Sequence, residues 1–268
     1  MIKPGEVQKK AHEAGVRDQQ IEKDYILSWI LQGISRHPVL SINLIFKGGT
    51  ALKKVYFRDY RYSEDLDFTL ANPQLQNQQI FVWFSEVFDF VRETANIPLE
   101  IIDDNEHEDG GINFYIGFVG PLGGLGANKK VKVDISRTEN MAFAPVRQEV
   151  ITGYSDHEEH WMFCYCLEEI LLEKLRSVIQ RMQARDLYDI WYLLEVHGMA
   201  IELYVNEFKA KCTDKDLSPA DFHAKLRERM PQYKGRWTKS MSDQIRDLPD
   251  FEQVEREVMR CLKSINFS

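Results

Sequence analysis

The sequence predicts an α+β fold, in which a mixed, mostly antiparallel β-sheet in the N-terminal half is followed by a helical half. Two observations lead to this prediction. Short β-forming runs bounded by turn residues recur between residues 44 and 136. From residue 166 to residue 194 the chain has no proline or glycine, and its apolar residues return at helical spacing. This change of pattern predicts two domains, residues 1–160 and residues 161–268.

Composition narrows the class of protein. The chain has 268 residues, of which 44% are hydrophobic and 28% charged, as in ordinary soluble globular proteins. Its N-terminal segment is too polar for a signal peptide, and it has no run of about eighteen apolar residues that could span a membrane. The four cysteines lack paired spacing and indicate reduced thiols. We therefore expect a cytoplasmic protein that does not bind membranes.

The charge distribution is uneven. A net charge of −8 argues against a protein that coats nucleic acid non-specifically. Residues 223–246 are nevertheless basic, with seven Lys and Arg residues against two acidic residues. The seven are Lys225, Arg227, Arg229, Lys234, Arg236, Lys239 and Arg246. Such a stretch is typical either of a phosphate-binding face or of a solvated helix face, and the sequence leaves both open.

The first strongly patterned helix is predicted over residues 18–35, with Asp18 as its N-cap. Pro38 is expected to end it. The charged triplet Glu22-Lys23-Asp24 lies inside this helix, and by its polarity we expect it on the solvated face.

Residues 44–70 combine two strands with a short helix between them. The second strand carries Asp65 and Asp67. Because strand residues alternate between faces, these two carboxylates point to the same side of the sheet. Like charges held so close favour a hard cation between them, and oxygen ligands suit Mg²⁺.

The turn after the first strand has the composition of a phosphate-binding turn. Gly48 and Gly49 allow a backbone to approach a phosphate closely, and Thr50 adds a hydroxyl at the start of the following helix. The sequence therefore predicts a phosphate site and a metal site in one segment.

A further carboxylate, Asp134, lies on a later predicted strand. Residues 129–136 alternate between polar and apolar, so that Lys130, Lys132 and Asp134 share one face. A third carboxylate would complete a two-metal site or accept a proton from an attacking hydroxyl.

The other elements follow from local patterns. The chain from 138 to 165 is expected to form an edge strand and a crossing loop, and Pro231, Gly235 and Pro249 are expected to separate the C-terminal helices. The predicted elements are a helix at 75–95, a strand at 99–103, an acidic hairpin tip at 103–109, a strand at 112–120, two helices at 167–194 meeting near Gln183-Ala184, and helices around 203–212, 219–230 and 251–265.

Two further stretches have a suggestive composition without the required spacing. The glycines of residues 120–126 precede a strand and lack a following Gly-Lys-Ser/Thr, so they predict a flexible loop and not a nucleotide-binding loop. Residues 156–160 contain two histidines without H-E-x-x-H spacing, so a metal site is not expected there.

Two strings in the segment 44–70 carry a resemblance to a known family. Lys47-Gly48-Gly49-Thr50-Ala51-Leu52 and Arg61-Tyr62-Ser63-Glu64-Asp65-Leu66-Asp67-Phe68 resemble the signature of the AbiEii/AbiGii nucleotidyltransferase toxin family. That family belongs to the polymerase-β-like nucleotidyltransferase superfamily and is similar to MenT-type toxins. The strings around Lys174 and at residues 185–189 resemble its later motifs.

The resemblance implies an activity and a set of site residues. The activity is Mg²⁺-dependent transfer of a nucleoside monophosphate from an NTP to an acceptor hydroxyl, by the toxin of a type IV toxin–antitoxin or phage-defence system. The acceptor would be RNA, such as the 3′ end of tRNA, and an antitoxin would be encoded alongside. The implied metal ligands are Asp65, Asp67 and Asp134; the implied nucleotide-binding residues are Lys47, Gly48, Gly49, Thr50 and Ser63; the further catalytic residues are Lys174 and either Asp186 or Asp189.

Two alternative functions remain open from the residues alone. The acidic tract at 103–109 suits the polycationic acceptor of a small-molecule, antibiotic-type nucleotidyltransferase. The other alternative is a non-catalytic module that binds nucleotides or RNA. If Lys174 is catalytic, we expect Lys174→Ala to lower turnover with little change in melting temperature.

Overall fold

The computed structural model describes residues 1–124, 126 and 129–267. The chain divides into two compact units. The first comprises Met1–Glu139 with Pro145–Tyr165, and the second comprises Asn140–Ala144 with Cys166–Ser268. In the described part of the chain no helix is long and apolar enough to cross a membrane.

The first unit is built on a seven-stranded sheet in the order β3-β4-β5-β2-β1-β7-β6. Its strands are β1 (Leu44–Lys47), β2 (Asp65–Leu70), β3 (Leu99–Glu106), β4 (Ile112–Phe118), β5 (Lys130–Ser136), β6 (Val146–Glu149) and β7 (Trp161–Cys164). Strand β2 runs parallel to β5, and β1 runs parallel to β7, whereas the other neighbouring pairs are antiparallel. The predicted mixed, mostly antiparallel sheet is confirmed.

The first unit also contains helices. They are α1 (Pro4–Ala14), α2 (Asp18–Arg36), α3 (Leu40–Asn43), α4 (Gly48–Ala51), which continues into a π-helical turn at Leu52–Tyr56, and α5 (Asn77–Ala95). The inward residues predicted for α5, such as Phe84 and Val91, are fully buried. On β5 the predicted alternation is confirmed, since Val131 and Val133 are buried while Lys130 is exposed. The core of this unit therefore lies on the face opposite the polar residues of β5.

The second unit is helical. Its elements are α6 (Leu167–Gln180), α7 (Ala184–Trp191) with a π-helical turn at Tyr192–Val196, 3-10 turns at Ile201–Tyr204 and Pro219–Asp221, α8 (Val205–Thr213), α9 (Phe222–Met241) and α10 (Phe251–Leu262). The predicted junction between two helices near Gln183-Ala184 is confirmed, because α6 ends at Gln180 and α7 begins at Ala184.

Four local predictions are wrong or incomplete. Helix α9 continues through both Pro231 and Gly235, because buried side chains around them, including Met230 and Trp237, hold it against its neighbours. The N-cap of α2 is Arg17, and Asp18 lies in its first turn. Only an edge strand was predicted between residues 138 and 165, whereas β7 lies inside the sheet between β1 and β6, because its pairing with β1 joins segments distant in sequence. Strand β3 extends to Glu106, since cross-strand hydrogen bonding to β4 carries it through the acidic tract.

Candidate active site

The turn between β1 and α4 requires glycine. Gly48 has a φ of +79°, a conformation that residues with a side chain rarely adopt. A Cβ atom on Gly48 would lie 2.4 Å from Oδ2 of Asp67, and one on Gly49 would lie 2.5 Å from a guanidinium nitrogen of Arg61. The backbone of this turn therefore packs directly against the Asp67 carboxylate.

Three carboxylates lie together on the polar face of the sheet. Asp65 and Asp67 are on β2, and Asp134 is on the adjacent parallel strand β5. The register pairs the Cα of Asp67 with that of Asp134 and the Cα of Asp65 with that of Lys132. All three aspartates are half-buried. The strands thus bring together the three residues that the resemblance implies as metal ligands.

The oxygen donors of this cluster suit Mg²⁺ bound together with a nucleotide. Within the described residues, no group of three or more His, Cys, Asp or Glu side chains is arranged as a ready-made metal-binding group. Protein Mg²⁺ sites commonly use one or two carboxylates and take their other ligands from water and substrate phosphates. The open arrangement of Asp65, Asp67 and Asp134 fits that mode of binding.

The remaining implied nucleotide-binding residues lie at the end of β1, in α4 and just before β2. Lys47 is the last residue of β1, and its ammonium lies 5.5 Å from the centre of the Tyr165 ring. Thr50 is buried, and its hydroxyl donates to the carbonyl of Asp65 at 2.5 Å. That hydrogen bond ties α4 to the start of β2. Ser63 is buried two residues before Asp65.

The second unit holds a buried charge cluster at the other implied site residues. Lys174 on α6 lies 2.9 Å from Oδ1 of Asp186 and 2.7 Å from Oδ2 of Asp189, both on α7. Arg181 also contacts Asp186, at 2.9 Å. Burial alone would raise the pKa of Asp186, but the charges of Lys174 and Arg181 outweigh it and hold this pKa below its ordinary value. Both aspartates therefore hold the lysine, which explains why spacing could not choose between them.

A comparison with known protein families identifies the chain. The model of the family described as "Nucleotidyl transferase AbiEii toxin, Type IV TA system" matches residues 29–257. The chain belongs to the AbiEii family. It is thus a nucleotidyltransferase and a toxin of the type IV toxin–antitoxin class. This membership confirms the resemblance seen in the sequence.

Solved structures show the same fold as this AbiEii family member. MenT4, a nucleotidyltransferase toxin from Mycobacterium tuberculosis, aligns with a TM-score of 0.61 and 16% identity, covering 99% of this chain and 91% of that chain. JHP933 from Helicobacter pylori aligns with a TM-score of 0.58 and 17% identity, covering 92% of each chain. At these identities the likeness concerns the fold, and no curated protein matches the sequence.

Lys132 is a residue of the carboxylate cluster to which the sequence assigned no role. Its Nζ lies 3.1 Å from Oδ2 of Asp134. Burial alone would lower the pKa of Lys132, but the hydrogen bond to Asp134 and the charges of Asp134, Asp67 and Asp65 raise it above its ordinary value. The strand alternation already placed Lys132 on this face; its position beside Asp65 depends on the strand register.

The charged triplet in α2 does not lie on a solvated face as expected. Glu22 and Asp24 are 1% and 5% exposed. Glu22 accepts a hydrogen bond from the backbone N–H of Leu122 at 2.9 Å and pairs with Lys129, immediately before β5. A buried carboxylate is tolerated because these partners neutralise it.

The other two members of the triplet hold two further segments of the site. Lys23 pairs with Glu64 at 2.6 Å, immediately before Asp65. Asp24 pairs with Lys54 at 2.6 Å, in the π-helical turn that continues α4. Three successive residues of α2 thus contact the segments that precede β5 and β2 and the helical turn that follows α4. In this AbiEii chain the triplet precedes the part matched by the family model.

The basic stretch 223–246 is used in part for internal contacts. Arg229 donates to the backbone carbonyls of Val178 and Arg181, and Arg236 donates to that of Met182. Lys225 and Lys234 pair with Glu228 and Glu252. Three basic residues remain, namely Arg227, Lys239 and Arg246. They are exposed, and among the described residues no ion pair or hydrogen bond of their side chains is found. The candidate phosphate-binding face is therefore smaller than its charge count suggested.

In residues 156–160 the two histidine side chains are buried, whereas Glu158 and Glu159 are exposed. Both ring nitrogens of His157 and Nε2 of His160 lack hydrogen-bond partners among the described residues, although Nδ1 of His157 lies 3.2 Å from Oδ1 of Asp156. That contact is a close approach and not a well-aligned hydrogen bond. Burial lowers the pKa of His160 to about 4 and also lowers that of His157. These histidines are therefore neutral packing residues.

Proposed function

We propose that this AbiEii family toxin uses Mg²⁺ to transfer a nucleoside monophosphate from an NTP to a hydroxyl of an RNA acceptor. The observation that carries the proposal is the placement of Asp67 beside both Asp134 and the Gly48 turn. Metal ligands and a closely approachable backbone then lie within one small area. Such an arrangement suits the triphosphate of an NTP, because the carboxylates could hold a metal beside phosphates that the turn backbone contacts.

In this proposal the first unit binds the nucleotide. Asp65 and Asp67 would hold Mg²⁺ for the NTP, and Asp134 would complete the metal site or accept the proton of the acceptor hydroxyl. Lys47, Ser63 and the backbone at Gly48, Gly49 and Thr50 contact the phosphates. Bound Mg²⁺ would supply charge neutralisation of the triphosphate.

The second unit supplies Lys174 in this proposal. A lysine held by two aspartates keeps its ammonium in one position, which favours the stabilisation of charge developing on a transferring phosphate. Asp186 and Asp189 are then positioning residues, because they act through Lys174. The division into a catalytic domain of residues 1–160 and a helical domain of residues 161–268 that completes the active site belongs to the same proposal.

An RNA acceptor, such as the 3′ end of tRNA, is supported by the exposed basic residues of the second unit. Family membership implies a cognate antitoxin and an NTP substrate. We further propose that the toxin acts in the cytoplasm, where both NTP and RNA are available, and that it serves in phage defence.

A small-molecule acceptor is a second candidate because of the acidic edge of the sheet. Strand β3 lies at the end of the strand order, and it exposes Asp103, Asp104 and Glu106. Carboxylates along an edge strand would attract a polycationic acceptor such as an aminoglycoside.

One experiment tests the reaction and separates the two acceptors. The full-length protein is incubated with Mg²⁺ and each α-labelled NTP, together with either total RNA or a polycationic aminoglycoside. We expect label in RNA with wild-type protein and none with Asp67→Ala. Full labelling by Asp67→Ala would refute the metal site, label in the aminoglycoside would identify the second candidate, and no labelling of either acceptor would refute the proposal.

A further inference from the structure

The carboxylate cluster contains its own cation. Lys132 lies on the same face of β5 as Asp134, and its Cα pairs with that of Asp65 across the parallel strands. Its Nζ lies 3.1 Å from the Asp134 carboxylate, with about one third of each side chain exposed. The ammonium is thus both in contact with the cluster and accessible from solvent.

Electrostatics explains why a lysine is stable at this position. Three aspartates on adjacent strand positions repel one another, and a compact ammonium among them lowers that repulsion. A divalent ion would occupy the same favourable potential with twice the charge. The flexible four-carbon chain of lysine lets the ammonium leave without any movement of the strands.

We propose that Lys132 is a built-in counter-cation for Asp65, Asp67 and Asp134, displaced by the metal onto a phosphate of the incoming nucleotide. This inference rests on the proposed function of the same site. While no nucleotide is bound, Lys132 competes with Mg²⁺ for the carboxylates. When Mg²⁺ and NTP enter together, the released ammonium gains a phosphate partner, so metal and nucleotide bind more tightly together than singly.

The neighbouring Lys130 provides a matched control. It lies two residues earlier on the same strand and face, is exposed, and has its Nζ 4.2 Å from the centre of the Tyr115 ring. The pairing of β2 with β5 begins at Lys132, so Lys130 lies beyond the paired aspartates. Replacing either lysine by methionine removes one positive charge from the same strand and keeps a long side chain.

The test measures binding separately for the metal and for the nucleotide. Mn²⁺, as a probe for Mg²⁺, is titrated without nucleotide by electron paramagnetic resonance, and a non-hydrolysable NTP analogue is titrated with EDTA by calorimetry. For Lys132→Met we expect Mn²⁺ to bind about tenfold more tightly, because a competing charge a few ångströms away is gone. The metal-free nucleotide should bind about tenfold more weakly, because without Lys132 the uncompensated carboxylates repel the phosphates.

A rise in Mn²⁺ affinity together with a fall in nucleotide affinity distinguishes a counter-cation from a merely structural lysine. Removing a structural lysine would weaken the binding of both ligands. The melting temperature of metal-free Lys132→Met should also fall and recover on addition of Mn²⁺, whereas Lys130→Met should resemble wild type throughout. Weaker or unchanged Mn²⁺ binding by Lys132→Met would overturn the inference. If wild-type protein binds neither Mn²⁺ nor nucleotide, the proposed function itself fails.

Discussion

Gly48 shows at the level of one residue how a backbone requirement and the proposed chemistry coincide. We predict that Gly48→Ala costs about 1–2 kcal/mol of stability, because the left-handed conformation penalises a Cβ atom. It should also abolish nucleotide transfer, since that Cβ would displace the Asp67 carboxylate. Gly198 has the same φ of +79° and no atom within 4 Å of an added Cβ. Gly198→Ala should therefore lose similar stability in urea unfolding and keep its activity; equal activity losses would contradict this.

For Lys174 the structure changes the expected outcome of mutation. The sequence suggested that Lys174→Ala would leave the melting temperature nearly unchanged, but the side chain is buried between two aspartates. Removing one partner of a buried ion pair typically costs roughly 3–5 kcal/mol. We predict a destabilisation of this size for Lys174→Met in urea unfolding.

A double variant separates the stability of this cluster from its catalytic role. Asp189→Asn combined with Lys174→Met removes one of the two carboxylates left without their lysine, so it should recover stability but not transfer. We expect Asp186→Asn and Asp189→Asn to differ in activity, because Asp186 also contacts Arg181. If Lys174→Met transferred nucleotide at the wild-type rate, the second unit would have no role in the mechanism.

At the level of one element, α2 links segments that lead to the three carboxylates. The pair of Lys23 and Glu64 is suited to a charge exchange, because both side chains are partly exposed. We predict that Lys23→Glu or Glu64→Lys alone weakens binding of the non-hydrolysable NTP analogue about tenfold, since like charges would push β2 away from α2. The double exchange should restore most of the affinity.

A surface pair elsewhere on α2 provides the control for that exchange. Arg36 and Glu158 also form an ion pair across the first unit, and both side chains are about half exposed or more. Because exposed pairs contribute only about 0–1 kcal/mol, reversing either charge there should leave nucleotide affinity unchanged. Failure of the double variant Lys23→Glu/Glu64→Lys to recover would show that the pair is not what positions β2.

At the level of the molecule, acid should destabilise the first unit through its buried histidines. Burial lowers the pKa of His160 from 6.5 to about 4, so the folded state binds fewer protons than the unfolded state between these values. Stability is therefore full above pH 6.5 and falls as the pH decreases toward 4, by on the order of 3 kcal/mol from this residue. The neighbouring His157 acts in the same direction.

Urea unfolding at several pH values checks this dependence. His160→Asn should show a shallower decline of the unfolding free energy between pH 6.5 and pH 4.5, because the side chain no longer titrates. The control His12→Asn, at an exposed position, should show the same decline of the unfolding free energy as wild type. Identical declines for wild type and His160→Asn would contradict the prediction.

RNA binding by the second unit depends on the basic residues that internal contacts leave available. We predict that Arg227→Ala/Arg246→Ala weakens RNA binding and reduces the salt slope by about 0.7 for each single-strand phosphate that the variant no longer neutralises. The exposed pair Lys3→Ala/Lys9→Ala has the same charge change and should have no such effect. Arg229 is unsuitable for this test because its guanidinium binds backbone carbonyls. An unchanged salt dependence of RNA binding would show that residues 223–246 are an ordinary solvated helix face.

The sequence alone determined which residues share a face and which chemistry they favour. Strand alternation put Asp65 beside Asp67 and Lys132 beside Asp134, because side chains on a strand alternate whatever the strand pairs with. Tertiary structure decided which strands became neighbours, and so placed Asp134 next to Asp67 and Lys132 next to Asp65. It also buried Glu22 and Asp24, whose partners are distant in sequence, and carried α9 through Pro231. Periodicity is a local property, whereas register, long-range ion pairs and the continuation of a helix through proline depend on the packing of the whole unit.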